Sequence, residues 1–410
     1  MAQEDTPVAR TRKCLPDSLD LAHLISAGVL INSCPRTLID EVLKQTGRGS
    51  QRERLLTAPT VVYYVMAMAL WRDAPLEEVL RIVCEGANWL NIGAGAHPHN
   101  LQLPTKSAIS AARNRLGAKV MQGLAQRVLR PLATPETRGA WYRGWRLMGL
   151  DGTVLDVADE QANADYFGYP PSSRGSSAFP QLRLVNLVEC GTHVITAAQL
   201  GNCRQSEQTL AERLLPEHLR SDELLMADRG FYSFKLWSLA TQCGGKLLWR
   251  VKSTVKLPVE ECLSDGSYLS TTYELHGRNR KNSHRVRVVE FTLVDEEGQL
   301  GERYRLVTNL LVPEEAPAAE LAALYHERWE VENVFDELKT HLRGASTVLR
   351  SKKPELVKQE MWGFLLAHFA IRQLMIQAAD KAAIDPDRLG FTNAVWVVRR
   401  KLPQAAAFPP

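Results

Sequence analysis

Four residues of one predicted helix have the types and spacing that suit work on a nucleic-acid backbone: Tyr325, Arg328, Glu332 and Lys339. Their separations of 3, 4 and 7 residues place them within a sector of about 60° on an α-helix, which turns about 100° per residue. One helix edge then presents an aromatic ring, two cations and one carboxylate over about 21 Å. This pattern suits contact with a polyanionic strand. The alternative is a solvated face on which Arg328 and Glu332 form an ordinary ion pair.

The remaining residues of this helix predict which side of it is buried. The stripe next to the charged edge is apolar and is expected to face the core: Leu324, Val331, Phe335 and Leu338. Three further acids fall elsewhere on the helical wheel, and we expect them to face solvent: Glu327, Glu330 and Glu337.

Two aspartates stand where predicted strands end. Asp151 closes an apolar run and is followed by Gly152, and Asp228 follows the buried run Leu-Leu-Met-Ala. If the two strands are neighbours in one sheet, the carboxylates lie side by side, and a divalent cation would relieve their repulsion. An Asp-Gly pair after a strand is also an ordinary turn signal, so neither aspartate identifies a site by itself.

These residues together resemble a known family. Tyr325-x2-Arg328-x3-Glu332-x6-Lys339 matches, at every position, the signature of bacterial insertion-sequence transposases of the IS-four family, a branch of the DDE transposases. Four fixed matches arise by chance in roughly a few chains per thousand of this length. Asp-Gly-Thr at 151–153 and Ala-Asp-Arg-Gly-Phe-Tyr at 227–232 are similar to the family's aspartate boxes. The resemblance covers about residues 20–380, including an N-terminal stretch at 48–83 and a β-rich insertion.

The resemblance implies an enzyme that cuts DNA and joins the freed 3′-OH to a second strand by a cut-and-paste route. Asp151, Asp228 and Glu332 would be its catalytic, metal-binding triad. The implied cofactor is Mg²⁺, two ions per site, with Mn²⁺ able to substitute. The implied partners are double-stranded terminal inverted repeats and target DNA, held by a homodimer. The family often proceeds through a DNA hairpin at the transposon end.

The same resemblance implies DNA contacts along the helix. Arg328 and Lys339 would bind phosphates near the cleaved end, and Tyr325 would help to place that end. Trp329 occupies the position where a family aromatic stacks on a displaced base. For Trp329, packing at the helix edge against the core is an equally open interpretation.

Three other functions stay open at this point. A related ribonuclease-H-like nuclease would cut without rejoining, and the complete Tyr-Arg-Glu-Lys signature disfavours it. A non-catalytic DNA-binding protein derived from a transposase is disfavoured because all three carboxylates are present. A metal-dependent phosphohydrolase of small substrates is disfavoured because the helix lacks a glycine loop that would cradle a nucleotide.

Composition narrows the class of protein. With 410 residues, 45% hydrophobic and 23% charged, the chain predicts two or three globular domains. A net charge of +4 does not itself indicate nucleic acid, so DNA binding must depend on local clusters. The seven cysteines have no zinc spacing. The N-terminus has no long apolar run, and no window is long enough to span a bilayer. We expect no membrane contact and a soluble cytoplasmic protein acting at the bacterial nucleoid.

Hydrophobic periodicity predicts a fold in several parts. The order βββαβαβ after residue 145 is typical of an α/β ribonuclease-H-like catalytic core, with an inserted antiparallel β-subdomain and an N-terminal all-α domain. A long helix at about 318–341 carries Glu332, and a second helix spans roughly 355–380. The predicted boundaries are 1–140 for the helical DNA-binding and assembly domain, 145–251 for the first part of the core, 252–312 for the insertion, 313–385 for the rest of the core and 386–410 for a C-terminal tail.

Two basic segments outside the signature are candidate DNA contacts. The first is a predicted helix at about 104–130 with Lys106, Arg113, Arg115 and Lys119, which either meets DNA or is a bundle helix with a solvated face. The second is the run HGRNRKNSHRVRV, at about 276–288, which either binds the DNA backbone or forms a solvated hairpin.

Overall fold

The computed structural model describes residues 26–49, 56–89, 104–170, 178–276, 279–294, 300–344 and 348–399. Its described N-terminal part, before residue 130, contains helices and no strands. These helices are α1 (Ser26–Ser33), α2 (Arg36–Gln45), α3 (Ala58–Leu70), α4 (Leu76–Trp89), α5 (Lys106–Leu116) and α6 (Ala118–Val128). Thr57 caps α3 by accepting the N–H of Thr60, and every residue from Val61 to Leu70 is buried. α3 is therefore an apolar helix that is buried nearly all round.

The predicted basic helix at 104–130 is in fact two helices, α5 and α6, because Gly117 between them has a positive φ of 75°. Arg113 does not face outward. It is 5% exposed and donates to Gln359 and Ser351. The interpretation of Arg113 as part of a DNA-facing surface is therefore wrong, because its guanidinium is buried and hydrogen-bonded to residues near the C-terminal end of the chain.

A helix from the far end of the chain completes the N-terminal core. α12 (Pro354–Ala382) packs against α3 and α6 so closely that a Cβ atom at Gly363 would lie 2.7 Å from the carbonyl oxygen of Val65. One hydrophobic cluster contains residues of α1 to α6, of α12 and of the sheet. The helices before residue 140 therefore share a core with α12 and with part of the sheet. No helix among the described residues is long and apolar enough to cross a membrane.

One mixed sheet, with helices packed on it, follows the N-terminal helices. Its strands are β1 (Trp141–Tyr142), β2 (Trp145–Asp156), β3 (Gln181–Glu189), β4 (Val194–Asn202), β5 (Glu223–Ala227), β6 (Lys246–Arg250), β7 (Glu261–Cys262), β8 (Tyr268–His276), β9 (Asn279–Val294) and β10 (Leu300–Thr308). The order is β4-β3-β2-β5-β6-β10-β9-β8-β7, with β1 beside β2. β2, β5 and β6 are parallel, and the remaining pairs are antiparallel. The mixed α/β class is as predicted.

The β-rich insertion is not separate from the core sheet. Its strands are antiparallel, as expected, but β10 pairs with β6, so the insertion lengthens the same sheet. The basic run within it is also altered by burial. Arg287 is fully buried and contacts Asp265 and the carbonyl of Ala316, which removes it from any DNA-facing surface. Arg278 lies outside the described residues.

Helices cover both faces of the sheet. On one face lie α8 (Glu207–His218) and α9 (Phe234–Gln242). A short helix, α7 (Gln161–Phe167), precedes β3, and α13 (Phe391–Arg399) packs against α12 near the C-terminus.

The predicted long helix at 318–341 changes type along its length. It consists of α10 (Ala318–Leu324), a 3₁₀ segment (Tyr325–Trp329), α11 (Glu330–Asp336) and a π segment (Glu337–Leu342). A 3₁₀ turn advances more than 100° per residue and a π turn less. A uniform helical wheel therefore misplaces residues at both ends of this segment.

Candidate active site

Asp151 and Asp228 lie side by side at the same edge of two neighbouring parallel strands. The pairing of β2 with β5 ends at Leu150 opposite Ala227, so Asp151 is the next residue of β2 and Asp228 is the first residue after β5. Asp151 is not at a strand end, however. β2 continues to Asp156, and Asp151 pairs with Asn186 of β3. Asp151 is therefore held on a strand paired on both sides up to this point, which restrains its backbone more than a turn would.

The lack of a side chain at Gly152 leaves room for a neighbouring side chain, and Gly152 does not form a turn. It is paired within β2, and a Cβ atom added to it would lie 2.6 Å from the carboxyl carbon of Glu207. Glu207 begins α8, which Ser206 caps by accepting the N–H of Thr209. The next residue, Gln208, donates to the carbonyl of Gly230 at 2.8 Å. The first turn of α8 thus contacts the surroundings of both aspartates, and local sequence patterns do not predict this contact between distant segments.

The carboxyl group of Asp151 is held in a poorly solvated, negative environment. Burial raises its pKa to about 6, while the N–H of Gly152 at 2.7 Å and the nearby Arg328 oppose this rise. Glu207 and Asp228 raise the pKa further through their negative charges. Deprotonated Asp151 therefore lacks full compensation from the described residues, and a cation at this position would supply it.

Arg328 joins two of the predicted triad residues. Its guanidinium lies 3.6 Å from the Asp151 carboxylate and 3.2 Å from Glu332. Arg328 itself is 8% exposed, whereas the side chain of Glu332 on α11 is 47% exposed. The structure thus brings Asp151, Glu332 and Arg328 together across 181 positions of sequence. Glu332 keeps one side open to solvent, where a ligand can approach.

Tyr325 occupies a different position from the one predicted. It is 3% exposed, and its hydroxyl donates to the carbonyl of Ala227 at 3.3 Å. Burial raises the pKa of this phenol. In this structure Tyr325 therefore supports the residue before Asp228 and does not lie on the exposed helix edge that the uniform helical wheel predicts. The error has a physical cause: Tyr325 lies in the 3₁₀ segment and faces the sheet.

Trp329 and Lys339 remain accessible. Trp329 is 47% exposed, and the guanidinium carbon of Arg328 lies 5.7 Å from its ring centroid. Lys339 is half-buried on the π segment. Burial lowers its pKa, Arg343 lowers it further, and Asp151 and Asp156 oppose the change. The Lys339 ammonium is thus close enough to the Asp151 carboxylate for the two charges to interact.

The donor set suits a divalent cation with oxygen ligands. Asp151, Asp228 and Glu332 offer only carboxylate oxygens, the ligands that Mg²⁺ and Mn²⁺ prefer, and burial of Asp151 beside Glu207 leaves negative charge to be balanced. The triad is not tightly gathered. Among the described residues, the one group of three whose ligand atoms lie within 4.8 Å of one another is elsewhere: His193, Glu330 and Asp387.

Two family descriptions match most of this chain. Residues 24–126 match "Insertion element 4 transposase N-terminal", and residues 146–370 match "Transposase DDE domain". The second match alone covers more than half of the 410 residues.

Known proteins of Escherichia coli strain K12 are similar over much of their length. "Transposase InsG for insertion sequence element IS4" is 29% identical over 376 residues, which are 89% of this chain and 80% of that protein. "Putative transposase InsZ" is 27% identical over 232 residues, 55% of this chain and 71% of that protein. A cryo-EM structure of a piggyBac transposase synaptic complex with hairpin DNA aligns with a TM-score of 0.47 and 10% identity, over 92% of this chain and 79% of that one.

Proposed function

This chain belongs to the IS4 family of DDE transposases, and we propose that Asp151, Asp228 and Glu332 are the three carboxylates with which it works on DNA. As a member of this family it is a DNA transposase, an enzyme of strand cleavage and strand transfer, and the cut-and-paste route is general to such enzymes. The resemblance inferred from the signature is therefore confirmed at the level of the family.

The contacts of Arg328 give the strongest support for this assignment. A buried guanidinium that contacts both Asp151 and Glu332 brings the carboxylate of α11 to the strand that neighbours Asp228. The strand order β4-β3-β2-β5-β6, with three antiparallel strands followed by two parallel ones, supports a ribonuclease-H-like core.

Each residue of the site has a separate task in this proposal. Asp151, Asp228 and Glu332 would hold two Mg²⁺ ions, for which Mn²⁺ could substitute. Such ions, when bound, favour deprotonation of the attacking oxygen and stabilise the leaving oxygen. Arg328 can direct its forked N–H donors to a phosphate. Lys339 offers a second cation to a neighbouring phosphate.

Trp329 and Tyr325 act at different distances from the DNA. Trp329 presents an exposed ring that can stack on an unpaired base. Tyr325 reaches the DNA only through the backbone of β5, whose last carbonyl its hydroxyl binds.

The partners follow from the family. We propose that the substrates are double-stranded terminal inverted repeats and target DNA, that two copies of the chain act on paired ends, and that the protein works at the nucleoid. The helices before residue 140 would bind and assemble the ends. Exposed cations of α5 and α6, namely Lys106, Arg115 and Lys119, support this role, in contrast to the buried Arg113.

The test is cleavage and strand transfer on DNA that carries the element's terminal repeat, with and without Mg²⁺. Asp151→Asn, Asp228→Asn and Glu332→Gln should each abolish cleavage, because an isosteric amide keeps the shape but cannot bind a cation as a charged ligand. Asp222→Asn, an exposed neighbour of β5, is the matched control. Near wild-type cleavage by any triad variant would remove that residue from the site, and cleavage without strand transfer would indicate a nuclease instead.

A further inference from the structure

A buried polar network lies behind the segment that carries Glu332. Arg372 of α12 donates through Nε to Glu337 at 2.9 Å and contacts its second oxygen with Nη2. His368, one turn earlier on α12, lies 3.0 Å from the same carboxylate. Arg372 also reaches Nδ1 of His193 at 2.7 Å, and Nε2 of His193 contacts Glu330. Arg372, His368 and Glu337 are 3%, 0% and 7% exposed, so the expectation that Glu337 faces solvent is wrong, and Glu330 is half-buried.

The network joins three parts of the chain that are distant in sequence. His193 belongs to the turn between β3 and β4, where its φ is 56°. Glu330 and Glu337 begin α11 and the π segment respectively. His368 and Arg372 belong to the helix that also completes the N-terminal core. On the side away from Asp151, the segment that carries Glu332 is therefore hydrogen-bonded both to the β3–β4 turn of the sheet and to α12.

Helix geometry connects this rear surface to the active site. Glu330 and Glu337 are seven residues apart and so share one side of the segment, while Glu332 follows Glu330 by about 200° and points to the other side. Resting on the proposed function, we infer that Arg372, Glu337 and His193 are positioning residues that hold the rear of α11 so that Glu332 faces Asp151. Among the described residues, none of these three side chains forms a hydrogen bond or ion pair with Asp151, Asp228 or Glu332.

A metal ion is the main alternative for part of this cluster, because ligand atoms of His193, Glu330 and Asp387 lie within 4.8 Å of one another. The hydrogen bonds disfavour it. A guanidinium has only donors, so Nδ1 of His193 must accept from Arg372, and a neutral imidazole then carries its proton on Nε2. Nε2 donates to Glu330 and has no lone pair for a metal. A cation would also stand beside the positive Arg372, whose charge lowers the pKa of His193 together with burial.

The experiment uses conservative variants of the full-length protein. Arg372→Lys keeps the charge but loses the fork, and Glu337→Gln and His193→Gln keep polar groups of similar size. The matched controls are Asp336→Asn, an exposed acid beside Glu337, and Lys381→Gln, an exposed cation on α12. Each protein is measured for its melting temperature, its affinity for terminal-repeat DNA, and Mn²⁺ binding to its complex with pre-cleaved DNA that ends in a 3′-deoxynucleotide. That DNA cannot attack, so binding is read without turnover.

We expect the three variants to bind DNA as the wild type does but to bind Mn²⁺ roughly tenfold to a hundredfold more weakly, as is usual when groups that orient metal ligands are changed. The controls should not change. Unaltered Mn²⁺ binding in the folded variants would overturn the inference. A Mn²⁺ or Zn²⁺ ion that persists in Asp151→Asn and is lost in His193→Gln would also overturn it, and would establish the metal site instead.

A second variant covers the case in which single substitutions unfold the protein by leaving one buried charge unpaired. Glu337→Met with Arg372→Met removes both charges at similar volume, and it should fold while still binding Mn²⁺ weakly. If this double variant binds Mn²⁺ like the wild type, the inference fails. A wild-type protein that does not cleave terminal-repeat DNA would refute the proposed function instead, so the two failures are distinguishable.

Discussion

Gly149 of β2 lies directly beneath Val331 of α11, and a Cβ atom at position 149 would come within 2.2 Å of Val331 Cγ2. Atoms of real side chains do not approach so closely, so the absence of a side chain at Gly149 sets how near α11 comes to β2. Glu332 is the next residue after Val331, and Asp151 follows Gly149 by two positions. This contact therefore sets the spacing between two of the proposed metal ligands.

Gly149→Ala should move α11 outward and lower the rate of strand cleavage by about a hundredfold, because small misplacements of reacting groups are costly. Combining it with Val331→Ala should restore part of the rate, since Val331 Cβ would lie 3.6 Å from the new Cβ. Gly49→Ala, where nothing lies within 4 Å, is the control. Single-turnover cleavage measures the effect, and a double variant no faster than Gly149→Ala would argue against the spacing.

Glu207→Gln should weaken divalent-cation binding roughly tenfold or more, because Glu207 adds negative charge beside Asp151. The amide should still fit over Gly152, so the fold is kept. Glu212 on the same helix pairs with Lys235 at the surface, and Glu212→Gln should leave binding unchanged. Titration of the protein–DNA complex with Mn²⁺ makes the comparison. Equal affinities for both variants would mean that Glu207 serves only to begin α8.

Trp329→Ala should lower affinity for DNA with an unpaired base at the transposon end by about 1–3 kcal/mol, the usual contribution of stacking on an aromatic side chain. Fully paired DNA should be affected less. Trp396 is similarly exposed, at 53% against 47% for Trp329, so Trp396→Ala tests for a general effect of losing a surface ring. Fluorescence of 2-aminopurine at the end position reports the stacking, and equal losses from both variants would exclude it.

Lys339→Ala should reduce the slope of log affinity against log salt by about one, because one phosphate contact with its counterion release is lost. Strand transfer should fall more than binding, since it needs a precisely held 3′ end. Lys381→Ala removes an exposed cation from the end of α12 and should leave the slope as it is. Gel-shift titrations over a salt series decide between the two, and an unchanged slope for Lys339→Ala would make it an ordinary surface cation.

Glu223→Gln should stabilise the protein at pH 8 but not at pH 4. Burial raises the pKa of Glu223 from 4.5 to about 7, so the folded state favours the protonated form. In the wild type, the free energy of unfolding that this shift adds is fully present below pH 4.5 and is lost as the pH rises through about 7. At pH 8 the wild type must bury a charged carboxylate, which the neutral amide of the variant avoids. The shift from 4.5 to about 7 corresponds to at most about 3.5 kcal/mol, or a few °C in melting temperature. Thermal unfolding from pH 4 to 8 measures it, with exposed Glu217→Gln as control, and parallel curves for wild type and variant would contradict it.

Local patterns were sufficient for much of this protein because they depend on neighbours in the chain. The strands after residue 145 and the helix at roughly 355–380 were predictable, since hydrophobic periodicity acts over a few residues. The spacing of Tyr325, Arg328, Glu332 and Lys339 identified the family without any knowledge of the fold.

Contacts between distant segments decided the rest. Only the folded chain shows that Glu207 lies over Gly152, that Tyr325 supports β5 and that Arg113 and Arg287 are buried. A helical wheel with a constant angle per residue also did not predict the change from 3₁₀ to α to π turns. Types and spacings along the chain therefore determined which residues are available for the chemistry. Long-range packing determined the direction each one faces, because a charged side chain faces solvent or the interior according to the partners that folding brings to it.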